Sequence, residues 1–136
     1  MKNEKGLTLI ELLAVLAIIG LITTLIGSVL INGLKASDRS STNQRLQQEA
    51  NYITEMIRNE YLKLEDDSIE FIIDNENQYL KMDGDIISKG FTYCYNNHCS
   101  NEHVFMINRN ENQQFKLELK IENLSYNIET TFSKLR

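Results

Sequence analysis

Four reactive side chains crowd the stretch YCYNNHCSNEH, residues 93–103: Cys94, His98, Cys99 and His103. Three chemistries compete for them. The order C-x3-H-C-x3-H offers two thiolates and two imidazoles, the ligand types of a zinc site. It lacks the C-x2-C pair of well-formed sites, and ligands packed into one tight loop poorly surround a tetrahedral ion. A second reading leaves both thiols free. The third joins Cys94 to Cys99 across a four-residue turn, and on the outer side of a membrane this is the leading expectation. Closing so small a loop contributes about 2 kcal/mol by restricting the unfolded chain.

The other chemically loaded position is a lone carboxylate. In EKGLTLIELLAVLAIIGLI, residues 4–22, Glu11 interrupts an apolar run, and from Leu7 to Leu34 it is the only ionisable side chain. Those 28 residues would make about 42 Å of helix, more than the roughly 30 Å of a bilayer core. The run is too long for a removable secretory signal, and GSVLINGLKAS has no A-x-A cleavage pattern. A chain of 136 residues cannot wrap such a helix as a soluble core, so a single membrane anchor is expected. An acid deep in a span costs about 2.5–3.5 kcal/mol on insertion scales, and less near an end. Thr8-Leu9-Ile10-Glu11 fits the S/T-x-x-E capping box, which explains the residue locally. Intramembrane acids more often mark function. If a protease cut after Gly6, Leu7 would carry a new cationic amine, with Glu11 one helical turn along the same face. In hydrocarbon both charges need a partner, and neighbouring subunits staggered along an axis would supply one.

KGLTLIELLAVLAIIGLI strongly resembles the N-terminal motif of type IV prepilins and of the pseudopilins of type II secretion and competence systems. Carried over by position, the resemblance implies that Gly6 precedes a prepilin-peptidase cut. It implies that Leu7 is the new, N-methylated terminus and that Glu11 registers subunits during assembly. Leu7 stands where the family usually has Phe, and Ser28 where many pilins have proline. This chain has no proline, so Gly20, Gly27 and Gly33 are the candidate weak points of the helix. The resemblance covers roughly residues 2–30 and implies other pilins or pseudopilins, a prepilin peptidase, an assembly ATPase and a membrane platform protein as partners.

These residues need elements to hold them. Beyond Leu34 apolar side chains return at Leu46, Ala50, Ile53, Ile57, Tyr61 and Leu64, in steps of three and four that mark one helix face. The apolar helix is expected to run on into this amphipathic one, with a weak break at SDRSSTN, residues 37–43. From residue 68 the period is two: Ile69, Phe71 and Ile73; Phe115, Leu117, Leu119 and Ile121; Tyr126, Ile128, Thr130 and Phe132. DNEN, MDGD, YNNH and NRNENQ supply turns. Half-buried antiparallel strands under a helix give an α+β, pilin-like fold with four to six strands in a small sheet. The expected divisions are a leader at 1–6, a transmembrane and assembly helix at 7–34, an amphipathic helix at 35–64 and an antiparallel β head at 65–136.

Charge narrows the function. Residues 65–136 hold thirteen acids against seven bases, a net of −6, while residues 35–64 are nearly balanced at +1. An acidic head argues against direct nucleic-acid binding. Two histidines in one loop, no nucleophile elbow, no Gly-rich phosphate loop and no calcium loop leave no constellation for an enzyme, and no cofactor is expected. Lys2 and Lys5 precede the span while Lys35, Arg39 and Arg45 follow it, nearly a tie for orientation. A short N-terminus inside and the head outside is the expectation, with membrane lipid around the span. The function expected is a minor pilin or pseudopilin, a filament subunit of a competence, DNA-uptake or type II secretion-like system. The rival is a monomeric ligand-binding domain on a permanent, uncleaved anchor.

Overall fold

The computed structural model describes residues 8–63 and 67–133. One helix, α1 (Leu9–Leu62), precedes seven strands: β1 (Ser68–Asp74), β2 (Tyr79–Met82), β3 (Asp85–Lys89), β4 (Thr92–Tyr95), β5 (Glu102–Asn108), β6 (Gln113–Ile121) and β7 (Leu124–Phe132). All strand pairs are antiparallel, in two sheets of order β3-β2-β1-β5 and β4-β6-β7. The fold is α+β and pilin-like, a long N-terminal helix on antiparallel sheets. The chain divides into two compact units, residues 1–40 and 41–136, and the second contains the core.

Helical periodicity is obeyed closely in the second unit. Leu46, Ala50, Ile53, Ile57 and Tyr61 are the buried residues of α1, and Leu64 lies outside the described residues. They join one cluster with Ile69, Phe71 and Ile73 of β1 and Phe115, Leu117 and Leu119 of β6. Each Leu, Ile or Phe among them, taken fully out of water, contributes roughly 1.5–3 kcal/mol. Rings complete the seam: Tyr61 lies 4.7 Å from Phe132, and its hydroxyl donates to the carbonyl of Ser133 at 2.9 Å.

Three expectations need correction. The strands number seven, in two sheets, because β2, β3 and β4 are only four or five residues long and show too little alternation to read. Two of their hairpins turn in two residues with left-handed backbones: Asp83 and Gly84 (φ 48° and 90°), and Asn96 and Asn97 (φ 49° and 67°). Such turns match the twist of the flanking strands, and Asn, Asp and Gly tolerate them best. Tyr126 does not follow its period inward and stays exposed near the hairpin end. The break at residues 37–43 is absent, and α1 passes unbroken through them. Ser, Thr and Asn each weaken a helix by only tenths of a kcal/mol, and no proline removes a hydrogen bond.

The end of α1 is held from a distance. Its last turn has no basic residue, leaving carbonyls and the negative end of the helix dipole without a cation of their own. Arg109, in the turn after β5, fills that role. Its backbone N–H donates to Asp67 O at 2.9 Å, and the buried guanidinium donates to Glu60 O at 2.7 Å and, more loosely, to Lys63 O at 3.5 Å. Hydrogen bonds from a charged donor contribute about 1.5–3 kcal/mol. Arg109→Ala should therefore lower the unfolding free energy of the detergent-solubilised chain by roughly that amount, read from urea midpoints by tyrosine fluorescence. Arg109→Lys should recover only part, since an ammonium cannot span two carbonyls with a planar fork. An unchanged midpoint in Arg109→Ala would show that the guanidinium does not stabilise the helix end.

Candidate functional site

Gly6 and Leu7 lie outside the described residues, so the site starts at Thr8. Thr8 is the N-cap, Leu9 the first helical residue and Glu11 the third. The chain reverses onto itself there: Leu12 N–H donates to Thr8 O at 3.2 Å, closing the first turn. Glu11 reaches back, and its Oε2 accepts from Thr8 N–H at 2.9 Å and from the Thr8 hydroxyl at 2.8 Å. This is the acidic half of a capping box, with the hydroxyl turned to donate as well. The carboxylate also sits at the positive end of the helix dipole. Both donors converge on one oxygen. Among the described residues, Glu11 Oε1 accepts no hydrogen bond.

The helix that carries Glu11 is apolar and uncovered. From Leu9 to Leu34 the large side chains are exposed, Leu9 at 79% and Val29 at 74% among them. Thr23 and Thr24 turn their hydroxyls to the carbonyls of Ile19 and Gly20, each at 2.7 Å, so neither presents an unmet donor to hydrocarbon. Added Cβ atoms at Gly20, Gly27 and Gly33 would meet nothing, and the helix is continuous across all three. A surface this apolar needs lipid or other helices around it.

In the head, the structure joins Cys94 to Cys99 in a disulfide. The cause is local. Asn96 and Asn97 make the two-residue turn, and Tyr95 and His98 exchange both backbone hydrogen bonds at 3.0 and 2.9 Å. Residues 94 and 99 are then the next, non-hydrogen-bonded pair, where antiparallel backbones approach most closely, here at 4.2 Å between Cα atoms. Cys94 is buried and Cys99 exposed, with Lys120 Nζ 3.6 Å from the Cys99 sulfur. Oxidised sulfurs are not thiolate ligands, and His103 goes elsewhere, into a ring stack with Tyr95 (5.8 Å) and Phe105 (5.9 Å). Cys94 and Cys99 instead lie near Glu118. The disulfide expectation therefore describes the structure, and the zinc arrangement does not assemble.

Two positions that matter here carry no signal in the sequence. Arg109 sits inside NRNENQ, which reads only as a turn. Asn75, within DNEN, acts as a clamp between the sheets. Its Oδ1 accepts from Tyr93 N–H at 2.8 Å, and its Nδ2 donates to Tyr93 O at 2.9 Å and to Ser100 O at 2.6 Å. An amide can mimic a strand neighbour in this way, but an Asn in a turn-like run gives no sign of it. Beneath it, the Tyr93 hydroxyl is pushed well above its usual range by burial, although a 2.6 Å hydrogen bond with Ser88 opposes this.

The disulfide has a direct check. The purified chain should show no free thiol until reduced. Cys94→Ser should lower unfolding stability by about 2 kcal/mol, the entropy of so small a closed loop. Two reactive thiols in the unreduced protein would contradict the bridge.

Comparison with known proteins adds one finding. Residues 1–27 match the family described as the prokaryotic N-terminal methylation motif. No curated protein and no solved structure matches the chain. The matched segment contains Gly6, Leu7, the N-cap Thr8 and Glu11, and it runs into the uncovered apolar helix. Motif and helix together fit a membrane-anchored, surface-exposed subunit that assembles with other pilins after prepilin-peptidase processing, and they support placing this chain in a type IV prepilin- and pseudopilin-type family.

Proposed function

We propose that this chain is a minor pilin or pseudopilin, a structural subunit of a short filament in a competence, DNA-uptake or type II secretion-like system. The observation that carries the proposal is Glu11. It stands one turn inside an apolar, uncovered helix, within the matched methylation motif, with one carboxylate oxygen held by Thr8 and the other still able to accept. Residues 1–6 form the leader, removed between Gly6 and Leu7, and Leu7 is N-methylated. The mature subunit resides in the membrane through residues 7–34, with residues 35–136 on the extracytoplasmic side. On assembly the ammonium of Leu7 on one subunit pairs with Glu11 of the next, which returns to each charge the partner that hydrocarbon denies it. An assembly ATPase and an inner-membrane platform drive extraction. The head's net of −6 over residues 65–136 speaks against a grip on DNA by this subunit itself.

Processing is the first test. Co-expression with a prepilin peptidase should give an intact mass lacking residues 1–6 and carrying one added methyl group. Gly6 replaced by Trp should block the shift, because a bulky side chain no longer fits a protease cleft at the joint. A product that retains Met1 to Gly6 would instead indicate a permanent anchor.

A further inference from the structure

Each sheet of the head has two edges, and they are not treated alike. The β3 edge is five residues long and follows a register shift at Leu80–Lys81. The β4 edge is occupied: Asn75 takes the N–H and C=O of Tyr93, and the His98 hairpin takes those of Tyr95. Both are ordinary ways of blunting an edge.

The β5 edge is guarded only at its end, where Gln113 Oε1 accepts from the outward Asn108 N–H at 3.1 Å, and among the described residues no such guard reaches the rest of β5 or the middle of β7. In antiparallel strands the N–H and C=O of one residue point to the same side, and the side alternates along the strand. Asn75 N–H donates to Asn101 O at 2.7 Å and Arg109 N–H to Asp67 O at 2.9 Å, so the odd-numbered residues of β5 face β1. Glu102, Val104 and Met106 therefore turn their backbone groups outward. Asn96 N–H donates to Lys116 O at 3.0 Å, which places the even residues of β6 toward β4 and its odd residues toward β7. By the β6–β7 register, Ser125, Asn127, Glu129 and Thr131 present the open edge. Neither pairing contains a register shift. Among the described residues no hydrogen bond reaches the outward backbone groups of Val104, Met106, Asn127 or Glu129. Val104 and Met106 are also 50% and 58% exposed, an apolar lip beside an unpaired edge.

We infer that these two edges pair with each other between copies: β5 of one head adds to β7 of the next as an intermolecular strand pair. The occupant follows from the chain itself, which carries one open edge on each of its two sheets. A β5–β7 contact is heterologous and repeats from copy to copy along a polar filament, whereas β5–β5 or β7–β7 pairing would close a two-fold dimer. Charge permits it, since Glu129 is already matched by Lys116 at 2.8 Å, leaving Glu102 as the one acid to accommodate. Only the choice of heterologous pairing rests on the filament reading. The edges themselves do not depend on it.

The test uses the full chain in detergent, with the native disulfide intact. Separate preparations of Val104→Cys and Asn127→Cys, mixed and treated with a short bismaleimide, should give a cross-linked dimer. Either variant alone should give little. Val104→Pro should abolish the cross-link when combined with Met106→Cys, because it deletes an outward N–H and leaves the β1 ladder whole. Val104→Lys, an edge guard that keeps the N–H, should weaken it as well. Retention of the Cys94–Cys99 bridge and of the unfolding midpoint would show that both variants still fold. Cross-linking of one variant with itself, at the yield of the mixture, would overturn the head-to-tail pairing. No cross-link at concentrations where the chain self-associates would overturn the edge proposal altogether. Neither readout involves Glu11 or leader cleavage, so failure here is separable from failure of the filament assignment.

Discussion

The head rests on one contact, the seam that Leu46, Ala50, Ile53, Ile57 and Tyr61 make with residues of both sheets. Around that seam the two sheets also meet each other, Phe71 against Phe115 at 5.9 Å and Tyr95 against Phe105 at 3.8 Å between ring centres. The three-stranded sheet buries Phe115, Leu117, Leu119 and Ile128, and the four-stranded one Ile69, Phe71, Ile73 and Leu80. Truncating a seam residue such as Ile53 would remove methyl groups from a site with no water access, a change that typically costs about 2–5 kcal/mol. The remaining features of the head serve that seam. Arg109 fixes the end of the helix, Asn75 ties β4 to the β1–β2 turn, and the disulfide pins the hairpin beside the Tyr95–Phe105 stack, whose rings lie 3.8 Å apart.

The same helix begins in quite different chemistry. Residues 9–34 bury nothing and carry one carboxylate, while residues 46–61 bury a stripe and carry the head. Each segment follows its own solvent. Hydrocarbon tolerates an all-round apolar surface with internally bonded hydroxyls, as at Thr23 and Thr24. Water demands a single stripe. Glu11 is the exception to the first rule, and in the proposed mechanism its reach back to Thr8 is the state of the subunit before a neighbour arrives.

Much of this is legible in the sequence, for reasons that differ by element. The stripe from Leu46 to Tyr61 is readable because 3.6-residue periodicity persists over five positions. The alternations in β1 and β6 are readable because each strand has one buried face over seven to nine residues. β2 to β4 are not, since four residues show a period of two only twice. Spacing alone makes the Cys94–Cys99 pairing the leading reading without settling it, because the bridge depends on a left-handed turn at Asn96 and Asn97. Arg109 and Asn75 are invisible for a deeper reason. Each acts across the fold, on carbonyls or strand edges that come near only after the chain has folded. The capping box is visible because both its members lie within four residues.

The proposed assembly stands or falls on whether Glu11 serves a neighbour as well as its own helix. Glu11→Gln separates the two roles. Gln still fits a capping box, so the helix start should survive. An amide is also cheaper than a carboxylate in hydrocarbon, so membrane insertion and leader cleavage should proceed. What the amide cannot do is neutralise an ammonium. Measured as the amount of the subunit in sheared surface filaments, or cross-linked to sister pilins, Glu11→Gln should fall to background while cleaved protein accumulates normally in the membrane. Incorporation of the Gln variant at the wild-type level would mean that Glu11 only caps its own helix.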